Sequence, residues 1–156
     1  MWVTTWKEAR LYMSTATVKK YRWTAALAVV LTVGVVFFFY RMYEHDMKTL
    51  TDFSVSYAQF DKAVSGSSLP EADEAFVELN RSASVRISSL TKHDREAMDT
   101  MHEIADISEK ELGTLHVYKK ALEYKQTADA SDLAKELRNL HDQRATAYAH
   151  FQELGG

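Results

Sequence analysis

The sequence predicts an all-α protein: one N-terminal transmembrane helix followed by an extracytoplasmic, antiparallel up-down-up-down four-helix bundle. Three observations lead there. Residues 23 to 40 form an uninterrupted uncharged run, and from Leu50 onward the apolar residues recur at alternating steps of three and four. A single proline and five glycines in 156 residues leave too few turn signals for a many-stranded β protein. The absence of cysteine removes disulfides, thiolate metal sites and cysteine nucleophiles.

Residues 1 to 22 make a basic tail, with Lys7, Arg10, Lys19, Lys20 and Arg22 against Glu8 alone. Trp2, Trp6, Leu11, Tyr12 and Val18 are mixed in with these charges, a composition compatible with lying along an anionic leaflet. The run Trp23 to Tyr40, WTAALAVVLTVGVVFFFY, is eighteen residues long. As a helix it reaches about 27 Å, close to the hydrocarbon thickness of a bilayer. Tyr21, Arg22 and Trp23 at one end, and Tyr40, Arg41 and Tyr43 at the other, are the residue types that favour the headgroup region. Five basic residues precede the run, while only Arg41 and Lys48 follow it closely, so the positive-inside rule places the N-terminus in the cytoplasm. FFFYRMYEHD offers no small-x-small cleavage site, which marks residues 23 to 40 as an uncleaved signal anchor. The expected location is the inner (cell) membrane, single-pass, with residues 41 to 156 periplasmic or extracellular.

Four helices are expected beyond the span, over about 41–64, 69–90, 92–126 and 131–154. The first continues the membrane helix through the seam Leu50, Phe53, Tyr57, Phe60 and Val64 and stops at Ser65-Gly66-Ser67-Ser68. The second opens on Ser68-Leu69-Pro70-Glu71, a serine cap with a first-turn proline, and runs Leu69, Ala72, Phe76, Leu79, Ala83, Arg86, Leu90. Thr91-Lys92-His93-Asp94 is a capping pattern that breaks what would otherwise be one over-long helix. Gly113 is a place where the third helix could bend or end. The last helix carries Leu133, Leu137, Leu140, Arg144, Ala147, Phe151 and Leu154. Short connections make consecutive helices antiparallel neighbours.

Residues 41 to 156 hold 14 of the 19 basic and 21 of the 22 acidic side chains, so the domain is acidic and a poor partner for nucleic acid. Arg86 and Arg144 fall in phase with apolar seams, where an unpaired charge would be costly. Asp94 and Glu111 are the candidate ion-pair partners. The alternative role for the two arginines is to grip a carboxylate ligand through the planar guanidinium fork. Six histidines raise a metal site, but the nearest approach to a di-iron pattern is the single Asp99-x-x-His102, with Glu103 and Asp106 nearby. No phosphate loop, nucleophile elbow or His-Glu-x-x-His is present, so no catalysis, cofactor or metal is expected.

An N-terminal anchor with an extracytoplasmic helical bundle resembles the sensing half of bacterial chemoreceptors, and AFVELNRSASVRISSL is similar to the arginine-bearing helix of their ligand domains. The resemblance implies a small-ligand sensor that signals through a separate partner, since no second span follows Leu154. The residues themselves favour a membrane-anchored interaction, accessory or assembly subunit. Its expected partners are the lipid bilayer and another protein, or a second copy of the chain.

Overall fold

The structure is a computed structural model that describes residues 4–66, 68–88 and 91–155, with side-chain surroundings from Trp23 onward. Among these residues it is all-helical and without strands, built from α1 (Thr4–Ser65), α2 (Leu69–Ala83), α3 (Lys92–Glu123) and α4 (Thr127–Glu153). Two compact units divide the chain, Met1–Met42 and Tyr43–Gly156.

In the first unit, α1 is long and apolar enough to cross a membrane, and none of its apolar window is covered by other parts of the chain. Trp23, Phe37, Phe38 and Tyr40 are all more than half exposed. A core helix would hide such residues, whereas these are left uncovered. The hydroxyl of Thr32 donates to the Ala28 carbonyl at 2.8 Å, which satisfies it inside the helix. Arg41 lies over the ring of Phe37 at 5.8 Å. The side chains of Tyr21 and Arg22, and of the whole tail 1–22, lie outside the described residues.

In the second unit, a core forms from the apolar seams of all four helices, with Phe53, Phe60, Ala72, Leu79, Met101, Ile104 and Phe151 at its centre. Phe53 meets Phe151 edge-on at 5.1 Å, Tyr57 stacks on Tyr148 at 3.6 Å, and Phe60 packs against Phe76 at 6.1 Å. Burial of large aromatic area supplies most of the attraction between these elements.

The helix ends follow local chemistry. Thr91 caps α3: its hydroxyl accepts from the Asp94 N–H at 3.1 Å, and the Asp94 carboxylate accepts from the Thr91 N–H at 2.8 Å. Gly113 lies inside α3 and does not end it. α3 closes at Glu123, where the Gln126 N–H returns to the Ala121 carbonyl at 2.9 Å around Lys125, whose φ is 57°. α4 then starts at Thr127, four residues before the expected position.

α2 departs most from the sequence expectation, stopping at Ala83 rather than near residue 90. Serines and β-branched residues crowd this stretch and are weak helix formers. Ser82 and Ser84 turn their hydroxyls back onto the carbonyls of Leu79 and Asn80. Beyond them Asp46 of α1 accepts from the backbone N–H of Ser88 at 3.0 Å and also from its hydroxyl. That tertiary partner takes the donors that a longer helix would have used.

Candidate functional site

Arg144 of α4 is completely buried, an unusual place for the most polar side chain of its helix. It lies in register with Leu140, Ala147 and Phe151, so the seam itself carries it inward. α3 sends Glu111 to meet it from the seam that also holds Ile104, Ser108 and Leu115. α1 contributes Asp61, three residues before Val64 and four after Tyr57.

Two of the three guanidinium nitrogens are engaged. Its Nε donates to Glu111 Oε2 at 2.6 Å, and Nη2 donates to Asp61 Oδ1 at 2.8 Å. Nη2 also lies 3.1 Å from His141 Nδ1. The same Nδ1 lies 3.6 Å from Glu111 Oε1 and 3.9 Å from Asp61 Oδ1. Above and below, the guanidinium carbon sits 5.1 Å from the Tyr57 ring and 5.2 Å from the Phe60 ring. Nη1 is buried and is the one guanidinium nitrogen without a hydrogen-bond partner.

Burial works against the Arg144 charge, but the attraction and hydrogen bond of Glu111, with help from Tyr57 and Asp61, more than offset it. The arginine pKa therefore lies above its ordinary value. Burial also pushes the Tyr57 hydroxyl above its ordinary value of 10.0, and Asp61, Tyr148 and Glu111 push the same way against Arg144. A raised folded-state pKa means that the unfolded chain releases this proton first as the pH rises. Stability attached to Tyr57 is thus complete below about pH 10 and is lost as the pH climbs through the folded-state value. Alkaline titration followed by circular dichroism should show this loss, and Tyr57→Phe should remove part of it.

Of the residues singled out from sequence, Arg144 and Glu111 come together. Arg86 does not join them: it is exposed, beyond the end of α2. Asp94 is spent on the α3 cap and reaches neither arginine. Trp23, Tyr40 and Tyr43 are exposed. Asp61 and His141 were missed. Asp61 adjoins the seam position Phe60, and its i+4 relation to Tyr57 was the available signal. Among the described residues, no group of three or more histidine, aspartate or glutamate side chains is placed to hold a metal ion.

The cluster therefore reads as a clasp that joins α1, α3 and α4 through one cation. A carboxylate ligand would have to displace Glu111 or Asp61 to reach the fork. No protein-family model matches the chain, and neither a curated protein nor a solved structure does.

Proposed function

We propose that the chain is a single-pass membrane protein whose extracytoplasmic domain is an antiparallel, up-down-up-down four-helix bundle. In this reading it works as a non-enzymatic interaction, accessory or assembly subunit of a membrane-associated complex. The apolar run of α1 is an uncleaved, N-in signal anchor, and the acidic domain faces the periplasm or the cell exterior. The order of contacts supports the bundle: Phe53, Tyr57 and Asp61 rise along α1 while their partners Phe151, Tyr148 and Arg144 fall along α4. The excess of basic residues before the run supports the orientation.

The occupied fork of Arg144 carries the functional reading. The Nε and Nη2 of this core arginine are already held by the chain's own carboxylates. What is left for function is the outer surface of the helices, and such surfaces recognise proteins.

Affinity purification of the full chain from membranes in mild detergent, followed by mass spectrometry, tests this. A stoichiometric protein partner, or a homo-oligomer of the chain alone, is the expected result. A solitary monomer whose melting temperature rises with small carboxylates, and no longer does so in Arg144→Ala, would replace this reading with that of a ligand sensor.

A further inference from the structure

Along the second unit, α1 and α2 leave an open groove between them. Two adjoining hollows of about 460 and 480 Å³ make it up, and they share Glu78. The α1 wall includes Lys48, Val55 and Lys62, each seven residues from the next, and Asp52 and Gln59 repeat the same step. The α2 wall carries Glu71, Glu74, Glu78 and Arg81, and Val85 lies just past the end of that helix. The seven-residue step keeps the α1 residues in line along one face of that helix. Among the described residues, no helix occupies the groove.

The walls carry opposite charge at matching levels. In one hollow, Lys62 of α1 lies with Glu71 and Glu74 of α2. In the other hollow, Asp52 of α1 lies with Arg81 of α2, which also pairs with Glu78 of its own helix at 3.6 Å. None of Lys62, Glu71, Glu74 or Asp52 has a salt-bridge partner among the described residues, and all four are exposed. Val55 and Val85 are exposed in the same groove, at 52% and 39%.

We infer that this groove is the contact face for a second copy of the same chain, related by a two-fold axis running along it. Such an axis lays α1 of each copy against α2 of the other at the same level. Lys62 then meets Glu71 and Glu74 of the second copy, Asp52 meets its Arg81, and the valines close between them. One face satisfies itself, as an isologous interface must. The exposed α1 and α2 surfaces offer about 550 Å² from each copy, taking helices about 10 Å wide and 1.5 Å of rise per residue. That is near the lower bound for a specific interface. Anchoring both copies in one bilayer raises their effective concentration and compensates for the modest area.

This inference rests on reading the domain as an interaction module and names its partner. The test is sedimentation equilibrium of the full chain in density-matched mild detergent, with far-UV circular dichroism to check folding. The wild-type chain should sediment as a dimer. Lys62→Glu, a change at an exposed position, should weaken dimerisation at least about tenfold, and Lys62→Glu combined with Glu71→Lys and Glu74→Lys should restore it.

Because the chain has no cysteine, a Lys62→Cys copy mixed with a Glu74→Cys copy should also couple through a short bismaleimide, whereas neither variant alone should. A monomer at every concentration, a dimer indifferent to Lys62→Glu, or no coupling of the mixed cysteine pair would each overturn the inference. A monomer that still copurifies with another protein would do so while leaving the interaction-module reading standing. A monomer without any partner would remove both.

Discussion

Replacing Arg144 with alanine is expected to destabilise the domain by about 3 to 5 kcal/mol, the cost of breaking a buried ion pair from one side. The reason lies in what remains behind. Glu111 has a side-chain exposure of 2%, and without the guanidinium its carboxylate would face the aromatic core with no counter-charge. Asp61 is different, with a side-chain exposure of 40%. Water can solvate it in place of the arginine, so Asp61→Asn should cost no more than about 1 kcal/mol. Lysine at 144 should not rescue: an ammonium cannot donate to Glu111 and Asp61 in two directions while lying flat between Tyr57 and Phe60. Arg144→Met together with Glu111→Leu removes both charges and should recover most of the loss, since well-packed apolar replacements of buried pairs are often neutral or better. Denaturant unfolding of the full chain in detergent, followed by circular dichroism, measures all four variants. If Arg144→Ala and the double replacement unfold alike, the cluster is not a charge clasp.

The same cluster shows what the sequence could and could not disclose. Arg144 and Glu111 each sit on the three-four seam of their own helix, and periodicity within one helix is enough to send both inward. Periodicity says nothing of how helices align with each other. Asp61, 83 residues before Arg144, could be paired with it only after α1 and α4 had been placed side by side. The end of α2 was hidden for the same reason. Leu69 to Leu90 keeps a helical spacing throughout, but Asp46 competes for the donors of Ser88 from 42 residues away. Arg86, in phase with the seam on paper, therefore falls beyond the helix and outside the core. The break at Thr91 was legible because both halves of its capping box lie within four residues. Local chemistry marks where helices start; tertiary competition decided where this one stopped.

Two lysines placed at the middle of the apolar run, Leu31→Lys with Val33→Lys, are expected to release the protein from the membrane. The run contains no charge from Trp23 to Tyr40, and its side chains are uncovered. None of this window is buried among the described residues, so no side chain there is sheltered for a cation. Each lysine near the centre of a spanning helix costs about 3 kcal/mol on insertion scales, and each also removes a favourable apolar residue. Together they approach about 7 kcal/mol, more than snorkelling from mid-span positions can recover. The same exchange near an end should be tolerated, because a lysine at Thr24 can reach the headgroups along its stem. Alkaline carbonate extraction of membranes separates the outcomes: wild type and Thr24→Lys should remain in the pellet, and the double variant should appear in the supernatant or be degraded. Retention of the double variant in the pellet would mean that the run is not the anchor. In the acidic domain, by contrast, the large aromatic side chains Phe53, Phe60 and Phe151 are turned into the core.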